Sequence, residues 1–563
     1  MPTLDFKGKP FVYSHHLSVP FRELIIDAGK SLPGPDGPSR DDNLIIHGDN
    51  LEALKALMPR YAGKVDAIYI DPPYNTGNEG WAYNDNVNAP ALNTWLGKVV
   101  DREDLERHDK WLCMMWPRLK LLHELLSDRG LFWINLDDNE VHNAAEILDE
   151  IFGSANRLAS AVWEKADSPR MDAEFFSTRH DALLVYAKNI DEVKLHKLQY
   201  EGDDIPEHYD RVDEDGRRYY LKPLRSMGGQ GEKREARPNL FFAMEAPDGA
   251  AIWPKLQDGS DGTWRWSPKK VADNPKKIEW SGEPGKWTPY FRIYADENKG
   301  RPPETIFFHK DVGSSRTAKA QLKLIFGGAA PFDTPKPVGL LQEIVRLSTY
   351  PDSLILDSFA GSGTTAHGVL AQNRADGGNR KFILIETEDY ANTLTAERVR
   401  RVVKGVPGAK DAVLKEGLGG SFTYCDLGQP MDLERFFGGK GAAPKYEQVA
   451  DYVVYTATGR TLETAVGEDG FIGYAGGYRL HLLYRPDPKW MRSNEAMLDL
   501  TTAERIAEAA KADDGKPVLV FAAGKLMGQR VLTELGLTFC QLPYSVHRIL
   551  GDGSEGVAGV DAA

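Results

Sequence analysis

The chain has 563 residues and a formal net charge of −14, with 41% hydrophobic and 27% charged residues. These values fit a soluble globular protein of roughly two to four domains. They exclude a molecule coated all over in positive charge, while leaving room for a local basic face on an acidic protein. The three cysteines, Cys113, Cys425 and Cys540, form no CxxC pair, which argues against a disulfide framework or a thiolate zinc site and fits the reducing cytoplasm. The opening MPTLDFKGKPFVYSHH lacks a basic segment followed by an apolar run, so no secretory leader is expected, and no apolar run is long enough for a membrane span.

Residues 1–42 read as an irregular arm. A strand at Leu44–His47 follows, closed by Gly48-Asp49-Asn50, then a helix over LEALKALMPRY with Leu51, Leu54, Leu57 and Met58 on one face. The strand VDAIYI runs straight into DPPYNTGN, and a polar, aromatic loop extends to about residue 106. WLCMMWPRLKLLHELL predicts a helix that Pro117 starts or kinks and Gly130 ends. The strand LFWINL, a helix over Asn139–Phe152, a strand near Ala161–Trp163 and the strand in HDALLVYAKN complete a first block, 43–190. Strands alternating with helices predict an α/β fold with a largely parallel sheet. Residues 191–316 mix glycine, proline, tryptophan and charge with little helical period. A second α/β block, 317–435, contains a helix over 337–350, the strand and glycine turn SLILDSFAGSGTT, the strand RKFILIE and a helix over Asn392–Val403. FFGGKGAAP (436–444) reads as a linker. The final block, 445–563, with a helix at TTAERIAEAAKA and a strand at PVLVFAA, predicts a small α/β domain.

Two motifs carry chemistry. Asp71-Pro72-Pro73-Tyr74 closes an apolar strand. Asp71 and the Pro72 carbonyl can accept the two N–H hydrogens of a planar exocyclic amine, Pro72 and Pro73 stiffen that carbonyl, and Tyr74 offers a face on which a base stacks. A strand-ending turn would also use Asp and Pro. The second motif, Asp357-Ser-Phe-Ala-Gly-Ser-Gly-Thr-Thr, opens a helix after a buried strand. Its spacing matches neither the GxxxxGK[ST] phosphate loop nor GxGxxG. The acid Glu386 ends the next strand, where a Rossmann-like site holds ribose hydroxyls, so Gly361, Gly363 and Glu386 point to an adenosine-type cofactor.

Together, DPPY followed by FAGSG resembles the β-group of DNA amino-methyltransferases. The strings LIIHGDNL and IDPPYNTGN look like the modification subunits of type III restriction–modification systems. The resemblance covers roughly residues 40–190 and 317–400. It implies a Rossmann-like S-adenosylmethionine-dependent core in permuted motif order, with an inserted target-recognition domain at 191–316 and a C-terminal accessory domain. By resemblance, Asp71, Pro72, Pro73 and Tyr74 hold the target adenine. Phe359, Gly361 and Gly363 line the methionine end of the cofactor, Glu386 binds its ribose and Asp49 contacts its adenine; Asp357 and Thr364 also bind the cofactor, and Thr334 and Lys336 belong to a further cofactor segment. Trp133 departs from the smaller aliphatic residue often found at its position. The implied partners are double-stranded DNA, a restriction subunit supplying helicase and nuclease, and a second copy of the chain.

Arg217, Arg218, Lys222, Arg225, Lys233, Arg234 and Arg237, interleaved with Tyr219 and Tyr220, suit phosphate contacts, although a solvated loop would carry the same composition. Trp264, Arg265 and Trp266 read equally as a stacking platform or as the core of a small β-rich domain. His15, His16 and the acids Asp137, Asp138 and Glu140 lack metal-ligand spacing, and no metal site is expected; the acids fit a strand end and a helix start. Three rivals to adenine-N6 methylation within a restriction system remain: cytosine-N4 methylation, which Asp rather than Ser at position 71 disfavours; a solitary methylase; and a DNA-recognition module inside a larger complex.

Overall fold

The computed structural model describes residues 3–76, 106–169, 171, 173–196, 205–226, 232–297, 302–328, 330–431, 433, 436, 443–462, 470–512 and 515–542. The chain divides into two compact units, one made of 1–194 with 304–563 and the other of 195–303.

The first unit is built on strands β1 (Arg22–Leu32), β2 (Leu44–His47), β3 (Val65–Ile70), β4 (Leu126–Leu136), β5 (Arg157–Glu164), β6 (His180–Ala187), β7 (Ile306–Phe307), β8 (Leu354–Asp357), β9 (Lys381–Glu386) and β10 (Phe422–Pro430). They form one sheet in the order β1-β10-β2-β9-β8-β3-β4-β6-β5-β7. From β10 to β4 every pairing is parallel. β6 reverses against β4 and β5, and β1 reverses against β10. The expected α/β class with a largely parallel sheet is therefore present. The chain runs from β8 outward to β9 on one side and from β3 outward to β4 on the other. The boundary between β8 and β3 is thus a topological switch point, where the carboxyl ends of strands open a crevice.

Helices α1 (Asn50–Tyr61), α2 (Arg107–Leu125) and α3 (Val141–Phe152) cover one face of the sheet, while α4 (Ser315–Ile325), α5 (Val338–Ser348), α6 (Thr364–Asp376) and α7 (Glu397–Lys404) serve the other. The strands alternate accordingly: Leu44 and Ile46 pack with the first layer and Ile45 with the second. The three cysteines are free and buried.

Several local expectations need correction. Residues 1–42 are not an irregular arm: two short helical turns precede β1, whose register with β10 pairs Ile25 with Asp426 and Ile26 with Cys425. α2 runs through Pro117 and ends at Leu125, not at Gly130. Gly130 instead sits in β4, where a Cβ would meet Leu126 at 2.7 Å and the Ser127 carbonyl at 2.9 Å. α4 begins at a capping box, in which Ser314 and Thr317 exchange hydrogen bonds, and lies outside the inserted unit. Trp133 fits by donating its indole N–H to Ser348 Oγ at 2.9 Å. Residues 77–105 of the polar loop and 437–442 of the FFGGKGAAP segment lie outside the described residues.

The inserted unit has a four-stranded antiparallel sheet, in which Arg218–Pro223 pairs with Thr288–Tyr294. Trp264 and Trp266 are buried in its core with Leu224, Met244 and Phe291, so of their two readings the structural one holds. Residues 471–541 contain a separate four-stranded sheet, Phe471–Ala475, Tyr478–Leu482, Val518–Ala522 and Leu537–Gln541, with the helix Leu500–Lys511 beside it. No helix among the described residues is long and apolar enough to cross a membrane.

The layer behind the switch point is tight where α5 meets α6. A Cβ at Gly368 would meet Leu341 Cβ at 2.9 Å and the Gln342 nitrogen at 3.1 Å. Gly368→Ala, which would stabilise an exposed helix by about 1 kcal/mol, is expected here to destabilise by about 1–3 kcal/mol through overpacking. Thermal unfolding followed by circular dichroism should show a lowered midpoint; an unchanged or raised midpoint would mean the two helices move apart freely.

Candidate active site

At the carboxyl end of β3, Asp71 follows Ile70; on the neighbouring strand, Asp357 ends β8. The register sets Leu356 beside Ile68, so both motifs open at one edge of the sheet.

The glycine turn is held from within. Asp357 is buried; its Oδ1 accepts from the Phe359 N–H at 3.0 Å and its Oδ2 from the Thr365 hydroxyl at 2.5 Å. Burial pushes this carboxyl up to about 7. Both oxygens of Asp357 thus bond within the glycine turn. Glu386 at the end of β9 accepts from the Gly361 N–H at 2.7 Å and from the Glu388 N–H at 3.0 Å, and burial raises it to about 6. Gly361 and Gly363 have φ of +50° and +75°, and a Cβ on Gly363 would meet the Thr395 carbonyl at 3.0 Å. These glycines are demanded by the turn itself. Behind it, the buried Arg398 donates to the Ser362 carbonyl at 3.3 Å, to Ser362 Oγ at 2.9 Å and to Thr364 Oγ1 at 2.6 Å; burial lowers its guanidinium to about 9. Asn50, at the start of α1, donates to the Ser358 carbonyl at 3.2 Å and accepts from Arg118 Nε at 2.6 Å. Asp49 caps α1 through the Glu52 N–H at 3.0 Å. Phe359 is half-buried and Thr334 exposed.

The DPPY turn is equally fixed. Trp111 on α2 donates its indole N–H to the Pro73 carbonyl at 2.7 Å. Asn75 has φ of +60° and is the only non-glycine residue with positive φ among those described. Asn tolerates that conformation, and its amide donates to the fully buried Glu140, which also accepts from Asn143 at 2.8 Å and meets His108 Nδ1 at 2.7 Å. Glu140 is therefore an anchor for the turn and not merely a helix-start acid. The Tyr74 hydroxyl reaches Asp71 Oδ1 at 2.9 Å and Asp181 Oδ2 at 3.2 Å, and accepts from the Asn135 amide. Lys165 Nζ completes this network at 2.6 Å from Asp181 Oδ1. Lys336, placed by sequence in a cofactor segment, forms an ion pair with Asp71 Oδ2 and lies 5.3 Å from the centre of the Tyr74 ring.

Sequence reasoning missed Trp111, Asn75, Asn135, Lys165, Glu140 and Asp181 as parts of this site. For Asn135 and Asp181 the signal lay in the strands LFWINL and HDALLVYAKN, as polar residues on otherwise apolar strands. No group of three or more His, Cys, Asp or Glu side chains among the described residues has the arrangement to hold a metal.

In the inserted unit the basic residues divide. Arg217 is bound by Asp296 at 2.8 Å and Glu297 at 2.9 Å, and Arg234 by Asp261 at 2.8 Å. Arg218 donates to the Tyr209 carbonyl at 3.0 Å. Lys233 and Arg237 are exposed, and Lys222 and Arg225 are partly exposed.

A stiffened Asp-Pro-Pro-Tyr turn facing a glycine turn across a switch point defines an α/β enzyme of the doubly wound, cofactor-using class. A family model described as DNA methylase matches residues 65–397, more than half of the chain, and the chain belongs to that family. The Mod subunit of the type III restriction–modification enzyme EcoPI from Escherichia phage P1 is 32% identical over 440 residues, covering 70% of this chain and 67% of that one. The StyLTI Mod subunit of Salmonella typhimurium is 34% identical over 396 residues, 68% of this chain and 57% of that one. The type II methyltransferase M.KpnI of Klebsiella pneumoniae is 30% identical over 377 residues, 65% and 84%. The chain thus spans between about half and two thirds of the length of the two Mod subunits.

The raised Asp357 carboxyl has a measurable sign. The unfolded chain releases this proton near the ordinary aspartate value of 3.8, whereas the folded protein keeps it to about 7. Its contribution to stability is therefore full below about pH 4 and is lost as pH rises to about 7. Asp357→Asn does not titrate, so its unfolding midpoint relative to the wild type should climb between pH 4 and 7 and stay level above. A pH-independent difference would mean that the carboxyl is ionised in the folded protein.

Proposed function

We propose that the chain transfers a methyl group from S-adenosylmethionine to N6 of adenine in duplex DNA, as the modification and specificity subunit of a type III-like restriction–modification or phage-defence system. The observation that carries this reading is the ending of β3 in Asp71-Pro72 directly beside the glycine turn of β8. The names of the Mod-subunit and methyltransferase relatives support it.

The cofactor site fits its ligand on three counts: a glycine turn at a helix start, an acid at the end of the next strand, and the buried Ser358 hydroxyl, which has no hydrogen-bond partner among the described residues. Glu386, Gly361, Gly363, Phe359 and Thr364 would hold the cofactor, with Asp49 nearer its adenine; bound there, it supplies an electrophilic methyl group. The protein's part is positioning and polarisation. The lone pair of the adenine amino nitrogen is delocalised into the ring. By accepting its two N–H hydrogens, Asp71 and the Pro72 carbonyl draw the nitrogen toward a tetrahedral shape. Tyr74 stacks on the extruded base, and its hydroxyl is kept in place by Asn135 and Asp181. Lys336 must yield its contact with Asp71 as the amine arrives. The proton is lost once methylation has begun, to Asp71 or to water.

Residues 191–316, which include the compact unit 195–303, would read the site, with Lys222, Arg225, Lys233 and Arg237 the basic residues best placed for phosphates. In this proposal the chain works in the cytoplasm as a homodimer, a separate restriction subunit cleaves, and residues 445–563 serve dimerisation or docking. Aspartate at position 71 favours adenine over cytosine-N4 as the target.

The test is base-resolved sequencing of plasmid DNA from a methylase-free host expressing the chain or its Asp71→Ala variant. The wild type should leave N6-methyladenine at one short motif. Asp71→Ala should lower turnover by about a hundredfold or more with cofactor binding retained by calorimetry. N4-methylcytosine would overturn the choice of base, and full activity in the variant would overturn the assignment of Asp71.

A further inference from the structure

The connection from β5 to β6, of which residues 165–169, 171 and 173–179 are described, starts and ends beside the hydrogen-bonded network of Tyr74. Lys165 and Asp181 meet across its base at 2.6 Å, and Asp181 bonds the Tyr74 hydroxyl. Its stem is closed by the Ala166 N–H to the Arg179 carbonyl at 3.2 Å and by Arg179 to Glu164 at 2.6 Å. Beyond that stem the character changes. Met171, Phe175 and Phe176 are 94%, 86% and 94% exposed, the most exposed of the protein's large apolar side chains among the described residues. Two adjacent phenylalanines left in water on a loop rooted in the Tyr74 network are costly unless a partner covers them.

We propose that this loop is the wedge that enters the duplex as the target adenine leaves it, with Phe175 and Phe176 filling the slot the base vacates. This rests on the DNA-methylation reading above. Drawing a base out of the stack opens a gap one base pair thick, walled by flat apolar faces. Aromatic side chains stack on such faces whatever the sequence. The loop is rooted one residue from Lys165 and two from Asp181, so its apolar tip and the tyrosine that receives the base hang on one hydrogen-bonded frame. The stem does not oppose phosphates either, because Glu164 is paired with Arg179 and Asp167 with Arg316. The wedge serves the extrusion step, which is cheapest when the target base is unpaired.

That dependence supplies the test. The full chain and its Phe175→Ala/Phe176→Ala variant are assayed on two duplexes carrying the motif mapped by sequencing. In one the target adenine faces thymine; in the other it faces an abasic site. The exposed positions predict an unchanged unfolding midpoint and unchanged cofactor affinity. On the paired duplex the variant should be slower by about ten- to a hundredfold, and on the abasic duplex it should come within about threefold of the wild type. With 2-aminopurine at the target position of the paired duplex, the fluorescence rise on extrusion should be largely lost in the variant. Equal losses on both duplexes, no loss on either, or a changed oligomeric mass with full activity would each overturn the wedge. A wild type silent on both duplexes would instead overturn the methylation reading.

Discussion

The parallel pairing of β8 with β3, with Ile355 beside Ala67 and Leu356 beside Ile68, holds together two stretches of chain that lie far apart in sequence. Neither strand carries the chemistry by itself. One ends in an acid that fixes a glycine turn, the other runs into the acid of a proline-stiffened turn. Only their adjacency brings the two turns to one crevice. All the burial around them serves that register: a one-residue slip would turn Tyr69 and Leu356 to the opposite faces and separate the two turns.

Around this seam the protein spends its polar groups on stiffness. The committed oxygens of Asp357, the buried Arg398 behind the glycine turn, the Trp111 bond to Pro73 and the Asn75–Glu140 contact leave both turns little freedom. Under the proposed reaction, methyl transfer to a poorly nucleophilic nitrogen would gain most from such preorganised geometry. The ion pair between Lys336 and the partly buried Asp71 ties the DPPY turn to the segment before α5 as well.

Much of this was legible in the sequence. The strands ending at His47, Ile70, Asp357 and Glu386 announce themselves as apolar runs followed by glycine, proline or an acid, and the two motifs are local strings. What escaped was of two kinds. β1 has half-exposed, mixed residues because it is an edge strand, paired on one side only, so neither alternation nor continuous apolarity marks it. α4 begins at a Ser–Thr capping box, without the usual Glu or Gln, and follows a region of mixed glycine, proline, tryptophan and charge that hid its start. The site residues that were missed, Asn75, Asn135, Lys165 and Asp181, act through contacts across the sheet, and spacing along one strand does not encode which polar side chain on another will face it. Trp264 and Trp266 show the reverse: composition alone left a stacking surface and a core equally open, and burial decided between them.

The unit 195–303 leaves the chain after β6, and the main sheet resumes with β7, which pairs with β5, itself the direct neighbour of β6. The excursion therefore begins and ends on the two strands that flank β5, in a ladder that is complete without it. Because the cost of closing a loop grows only slowly with its length, this stretch can lengthen, shorten or be exchanged wholesale while the ladder keeps its register. A lineage built this way can change its inserted unit at the pace of a loop and its two sheet-end turns only at the pace of a core.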